Sequence, residues 1–317
     1  MTILVLGASG FLGAWTVRAL KAAGAAPVAL VRPSSALARI DGLVDVLAVD
    51  EVSWPHAIAD LRPSVVVSLD WMGVRGGSRD DPSQQENVAR IRSTAQAASR
   101  AGAARFVGVG SQAEYGPRDA PVDEAAALAP VTAYGRAKVA AAEATRAVCA
   151  ETGMDWVWAR VFSTYGPLDH PYWLLPRVGD ALMAGESVAL TAGEQRWSYL
   201  YGPDAGAALA ALATHADVHG VVNVGHPDAP RLRDTVETFA THFPGGGPLR
   251  FGAIPYSANQ VMRLQPKTGR LAALGWRPSV ALEDGLAETA AWLQGKDVTD
   301  RLTGVPLPRR YATQTSA

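Results

Sequence analysis

Through the first half of the chain, short runs of β-branched and aliphatic residues alternate with longer Ala-rich stretches. That alternation predicts strand, crossover helix and strand of a parallel sheet. Strands are expected at 3–6, 28–31, 44–49, 65–69, 106–109 and 156–161. None of these runs alternates regularly between apolar and polar residues, as expected where both faces of a strand are covered. The intervening stretches 12–23, 87–101 and 132–150 are rich in good helix formers and free of proline, which suits crossover helices.

Beyond residue 162 the regularity weakens. Prolines 167, 171 and 176 interrupt the chain, a helix is expected at 176–184, and residues 221–224 are expected to return one more strand to the sheet. The fold class is therefore α/β: a Rossmann-type doubly wound parallel sheet with a smaller, interleaved C-terminal substrate domain. Residues 1–162 and about 198–228 are assigned to the dinucleotide-binding part, and 163–197 with 229–299 to the substrate part. The tail 300–317, with Pro306, Pro308, Arg309 and Arg310 ahead of small polar residues, is expected to be extended or disordered.

Composition narrows the class of partner. The chain has 317 residues, 48% of them hydrophobic and 19% charged, with a formal net charge of −1. A sizeable core is expected, and the scattered charge lacks the footprint that nucleic acid or an anionic membrane requires. No apolar run approaches the roughly 18 residues of a membrane span. The apolar start lacks a basic leader and is broken by Gly7, Gly10 and Gly13, so a cytoplasmic protein acting on a small molecule is expected. Cys149 is the sole cysteine, which excludes an internal disulfide, and among six histidines only His215 and His219 share a helix-face spacing. No third ligand accompanies them, and no metal is assigned.

The segment Ile3-Leu-Val-Leu-Gly7-Ala-Ser-Gly10-Phe-Leu-Gly13 runs from a strand through three glycines into a helix. This is the context of a dinucleotide fingerprint: Gly7 for the tight turn, Gly10 for approach of backbone to a pyrophosphate, Gly13 for packing of helix on sheet. The free N–H groups of the helix start would meet the phosphates. A glycine-bearing turn without a ligand is the alternative. The second strand ends in Leu30-Val31-Arg32-Pro33-Ser34-Ser35, without a carboxylate. Arg32 and Ser34 suit a 2′-phosphate, which favours NADP(H) with NAD as the alternative, unless Arg32 is simply a solvated residue. Asp50 either meets the adenine amino group or caps the next turn. Ser9, Phe11, Leu12, Leu69 and Val161 complete the expected cofactor positions.

Tyr134 and Lys138 stand four apart in a helical stretch, hence on one face. A nearby ammonium favours the phenolate and lowers a tyrosine pKa from ~10, which makes the phenol a usable proton donor and acceptor. Ser111 ends the buried run Val107-Gly-Val-Gly-Ser111, at the carboxyl end of the sheet where such folds bind ligands.

Together these residues resemble the extended short-chain dehydrogenase/reductase family, in its nucleotide-sugar epimerase, dehydratase and reductase branch, nearest to the deoxysugar 4-ketoreductases. The resemblance runs to about Leu293 and includes GASGFLG, Asp50, Asn87, Ser111 with Glu114-Tyr115-Gly116, Tyr134 to Lys138, RVFSTYGP at 160–167, GEQRWSYLYGPD at 193–204 and Leu274-Gly275-Trp276. It implies hydride transfer between nicotinamide C4 and a sugar carbon, with Tyr134 as acid and base. Lys138 would bind the nicotinamide ribose and tune Tyr134, Ser111 would orient the carbonyl, and a homodimer would form through 87–101 and 132–150.

Departures from the family pattern narrow the reaction. Gln112 and Ala113 replace the Asp-Glu pair of sugar 4,6-dehydratases, so dehydration is not expected. Ser163 and Trp197 stand where an Asn and an Arg usually contact the nucleotide diphosphate, so Arg177, Arg196 or Arg263 would have to supply that charge. Leu69-Asp70-Trp71 replaces a usual Leu-Ala-Ala, and Trp71 would crowd the nicotinamide pocket. The expected substrate-binding set is Trp71, Gln112, Ser163, Arg177, Arg196 and Trp197. The expected activity is NADPH-dependent reduction of a nucleotide-linked 4-keto-6-deoxysugar. The alternatives are an NAD-dependent nucleotide-sugar epimerase, a reductase of an aromatic or polyketide ketone, and a non-catalytic dinucleotide sensor.

Overall fold

The chain enters on β1 (Thr2–Leu6), whose last four residues are buried. It then runs through α1 (Phe11–Ala22), β2 (Ala26–Val31) and β3 (Asp45–Ala48), outward along one side of a sheet. It crosses back through α2 (Trp54–Leu61) to β4 (Val65–Ser68), α3 (Gln84–Arg100), β5 (Arg105–Ser111), α4 (Ala133–Thr152) and β6 (Asp155–Val161). A seventh strand, Gly220–Val224, pairs beyond β6, giving the order Gly220–Val224, β6, β5, β4, β1, β2, β3 with every neighbouring pair parallel. Strand order reverses between β1 and β4. The loops leaving those two strands part there, opening a crevice at their carboxyl ends. This computed structural model describes residues 1–74, 76–257 and 260–310.

β1, β4 and β5 lie inside the sheet and are almost wholly buried, as their unbroken apolar runs require. β3 departs from the expectation for 44–49: it is shorter, and Asp45, Val46 and Ala48 are exposed because it is the edge strand. The helix expected at 176–184 is α5 (Leu174–Met183), with Pro176 inside its first turn. A proline is tolerated there because the N–H groups of a first turn have no intrahelical acceptor.

The rest of the chain builds a cap on this sheet. α6 (Gly202–Thr214) packs against α1, while α7 (Leu232–Ala240) and α8 (Leu282–Leu293) pack with α5. Three short parallel ladders join distant segments: Ser163–Tyr165 with Tyr199–Tyr201, Val188–Leu190 with Leu249–Phe251, and Arg196–Trp197 with Arg263–Leu264. The carboxylate of Asp204, in α6, accepts from Ser279 N and Oγ and from Val280 N. A residue of the sheet-covering layer thereby holds the stretch that leads into α8.

Of the tail expected to be extended or disordered, residues 300–310 pack against the body. Asp300 lies buried with its carboxylate 3.1 Å from Arg18 Nε of α1, Leu307 N donates to Val298 O, and Arg310 pairs with Asp180 of α5. Proline and small residues suggested solvent exposure, but the buried guanidinium of Arg18, whose neighbouring acceptors are the carbonyls of Ala14 and Arg39, draws the Asp300 carboxylate in. Residues 311–317 of the expected tail lie outside the described residues.

Candidate active site

The crevice begins at the glycine turn. Gly7 leaves β1 at φ +75°, a conformation L side chains rarely adopt, and Gly10 N closes the turn onto Gly7 O at 3.0 Å. A Cβ on Gly13 would run into Gly7 O and Ala8 Cα, so only glycine lets α1 sit this close to the turn. Gly10, the N-cap of α1, carries no side-chain cap, and the first turn of the helix holds no acidic residue. Gly10, Phe11, Leu12 and Gly13 all line the cavity. Free backbone donors and Cβ-free approach at a 12-residue helix start are what a dinucleotide pyrophosphate needs, and the site fits that group.

Ser111 closes β5 and opens a tight turn: its Oγ accepts from Ala113 N, and its N donates to Glu114 Oε1 at 2.8 Å. Glu114 is wholly buried and also receives Trp158 Nε1 at 3.0 Å and Arg160 Nε at 2.6 Å. Opposite, Thr132 caps α4 by accepting from Gly135 N at 3.0 Å, which places Tyr134 in the first turn and Lys138 one turn on. Both side chains are buried.

Lys138 Nζ donates to Val109 O at 2.6 Å and lies 3.6 Å from the centre of the Trp71 ring. Burial lowers its pKa to about 7, against the raising influence of Glu114 and Asp70. Tyr134 meets the edge of Trp71 at 5.9 Å and carries the Arg79 guanidinium 4.5 Å above its ring. Burial pushes the phenol up from its ordinary value, and the Arg79 charge followed by a hydrogen bond with Ser111 opposes that shift.

The expectation that Lys138 brings the phenol down is therefore corrected. Its ammonium is 5.8 Å from the Tyr134 ring centre and engaged by Val109 O, and burial outweighs the nearer cation, which is Arg79. Arg79 stands in the turn Gly76–Asp80. It has no fixed spacing to Tyr134 and no motif, so nothing in the sequence marked it.

These groups share one cavity of about 610 Å³. Of the expected cofactor positions, Gly7, Gly10, Phe11, Leu12, Gly13, Leu69, Val161, Tyr134 and Lys138 line it, as does Ser111. Ser9, Arg32, Ser34 and Asp50 do not, and Arg32, Ser34 and Asp50 are exposed. Arg32 Nη1 stands 3.6 Å from Glu51 Oε1, and Arg90 bridges Glu51 and Asp70 at 3.5 Å each. Glu51 is thus a carboxylate beside Arg32 that the strand-end window did not contain. Asp70 Oδ1 accepts from Ser68 Oγ at 2.6 Å, and burial raises its pKa.

Of the expected substrate positions, Trp71, Gln112, Ser163 and Trp197 line the cavity, whereas Arg177 and Arg196 do not. Both arginines are corrected to the exposed surface: Arg177 falls on the outer side of α5, and Arg196 reaches the Ala229 O side of its two-residue ladder. Arg263 is turned to Gln265 Oε1 at 2.7 Å. Trp197 Nε1 donates to Val261 O at 2.8 Å.

The model of the NAD dependent epimerase/dehydratase family matches residues 3–225. The chain belongs to that family. Its members are NAD(P)-dependent enzymes of the extended short-chain dehydrogenase/reductase type, and this chain is one of them. A 3-diazoavenalumate denitrifying reductase of a Streptomyces species is 31% identical over 310 residues, covering 90% of this chain and 99% of the relative. A trifunctional UDP-glucose 4,6-dehydratase/UDP-4-keto-6-deoxy-D-glucose 3,5-epimerase/UDP-4-keto-L-rhamnose-reductase of Arabidopsis thaliana is 26% identical over 64% of this chain. The match spans 32% of that plant enzyme's length. Among solved structures, Thermus thermophilus UDP-glucose 4-epimerase in complex with NAD superposes with a TM-score of 0.84 at 23% identity, over 93% of this chain and 99% of its own. That likeness establishes the fold of this epimerase/dehydratase family member. No helix among its described residues is long and apolar enough to cross a membrane.

Proposed function

We propose that this family member is an NADPH-dependent ketoreductase whose substrate is an apolar, aromatic-bearing ketone without a nucleoside diphosphate. One observation carries the reading. The arginines that would hold a diphosphate, Arg177 and Arg196, stand outside the cavity, and Trp197 directs its indole N–H to Val261 O. A diphosphate calls for charge-assisted donors, yet the lysine and arginine that line the cavity, Lys138 and Arg79, both flank Tyr134. The aromatic walls, among them Trp71, Phe162, Tyr172, Trp173 and Trp197, suit an apolar body instead. The Streptomyces relative that matches along nearly its whole length is a reductase named for 3-diazoavenalumate, which supports the same direction.

When bound, the nicotinamide supplies a hydride to the carbonyl carbon. The chain supplies the proton and the alignment: Ser111 Oγ holds the carbonyl oxygen and the Tyr134 phenol protonates it. Burial keeps the phenol protonated, the state that a reduction requires of its proton donor. Gln112 and Ala113 leave no acid-base pair for elimination beside Ser111. Arg32, with its side chain 49% exposed, is accessible to a 2′-phosphate and supports NADPH over NADH.

The test couples NADPH oxidation to nucleotide binding. The protein is expected to reduce an aryl ketone such as methyl 4-acetylbenzoate and to bind dTDP no tighter than ~1 mM. Turnover of dTDP-4-keto-6-deoxyglucose, with dTDP bound below ~100 μM, overturns this reading in favour of a nucleotide-sugar reductase. NAD retained through purification, with no oxidation of added NADPH by any ketone, points to an epimerase.

A further inference from the structure

We infer that Arg79 is the anchor for a carboxylate on the substrate, placed beside the carbonyl that Tyr134 protonates. Among the described residues Arg79 is set apart from the other arginines near the site. Arg32 and Arg90 face Glu51, Arg90 also faces Asp70, and Arg160 is paired with Glu114. No described carboxylate lies within ion-pair distance of Arg79, and its Nε is buried without an acceptor. Arg79 is half-buried at the cavity wall, and a buried guanidinium N–H without an acceptor is costly until an oxyanion arrives to accept from it.

The guanidinium is also held in place. Gln84 Nε2 donates to Gly73 O at 2.7 Å and to Ser78 O at 2.9 Å, fixing the turn that presents Arg79. The other end of Gln84 receives Trp71 Nε1 at 2.8 Å. Arg79 thus lines the cavity on one side of Tyr134 while Trp71 closes another. A planar fork of donors preset in this way matches a carboxylate and loses little freedom on binding it.

The pairing has a consequence for the chemistry. Arg79 is the charge that does most to draw the Tyr134 phenol down. An anion bound to Arg79 offsets that charge, so the proton stays on the phenol until the carbonyl oxygen takes it. A carboxylated ketone would then both orient itself and keep its proton donor loaded. The substrate class is a keto acid with an apolar, aromatic body.

The same oxyanion chemistry is offered by the cofactor's phosphates, and the experiment separates the two sources. In the full-length protein saturated with NADP⁺, calorimetry compares 4-acetylbenzoate with methyl 4-acetylbenzoate in wild type, Arg79→Gln and Arg79→Lys. The wild type is expected to bind the acid at least ~10-fold tighter than the ester. Arg79→Gln should erase that preference, Arg79→Lys should keep part of it, and NADP⁺ affinity should stay within ~2-fold. Equal binding of acid and ester by wild type, or no binding of the acid at ~10 mM, overturns the inference. So does a loss in Arg79→Gln that falls on NADP⁺ instead, which would assign Arg79 to a cofactor phosphate. The chemistry rests on the ketoreductase reading but the binding does not. Ester reduction without acid preference sinks the anchor alone, and acid binding through Arg79 without NADPH oxidation by either ketone sinks the reductase alone.

Discussion

Lys138 Nζ sits 3.6 Å from the centre of the Trp71 indole while donating to Val109 O at 2.6 Å. The indole covers the amino group, and burial is the main reason its pKa falls to about 7. Since an unfolded lysine titrates near ~10.4, the unfolded chain binds more protons between these values. Stability attributable to this group therefore rises with pH across that window and is lost as pH falls from the unfolded value towards about 7. Chemical denaturation of wild type and Lys138→Met at several pH values should show the wild type gaining relative to the variant, by at most about 1.4 kcal/mol per pH unit. A pH-independent difference between the two proteins would contradict a neutral, buried Lys138.

Removing the Tyr134 hydroxyl removes the proton donor but little of the wall. Tyr134→Phe should lower kcat by at least ~100-fold in the reductase assay while leaving NADPH binding near wild type. Turnover within a few-fold of wild type would transfer the proton to another group.

Arg32 lies outside the cavity, on the exposed rim, and shares Glu51 with Arg90. If it receives the 2′-phosphate, Arg32→Ala should raise KM for NADPH by about 10-fold and leave KM for NADH unchanged. Steady-state kinetics with both cofactors decides this, and equal effects on the two would leave Arg32 with no role in cofactor choice.

The packed end of the chain is expected to matter for stability. Asp300 is the carboxylate that faces Arg18, and each of these side chains is no more than 3% exposed. Asp300→Ala leaves a buried, unpaired guanidinium, a loss on the order of 3–5 kcal/mol. Thermal unfolding should show a Tm several degrees lower, and truncation after Thr299 should do at least as much. An unchanged Tm would mean that solvent reaches Arg18.

The parts of the site legible in the sequence were those whose geometry is local. The Gly7, Gly10 and Gly13 turn depends on backbone freedom within one strand-to-helix junction, and Tyr134 and Lys138 share a face because helix pitch places them there. Ser111 was placed by the strand it ends. The arginines were the least legible, because a long charged side chain carries no periodic signal. Arg177 and Arg196 were expected at the substrate and stand exposed, whereas Arg79, unmarked by any motif, lies over Tyr134.

The sequence by itself determined the alternating sheet, the glycine turn and the identity of the serine, tyrosine and lysine that share the cavity, since each follows from short-range periodicity or spacing. Only the tertiary structure decided which charges meet. Glu51 beside Arg32, Asp300 beneath Arg18, Val109 O under Lys138 and the Arg79 guanidinium over Tyr134 join segments brought together by the sheet and its crossovers. Coulombic and desolvation energies depend on those distances and on burial, and neither is written in the order of residues along a chain.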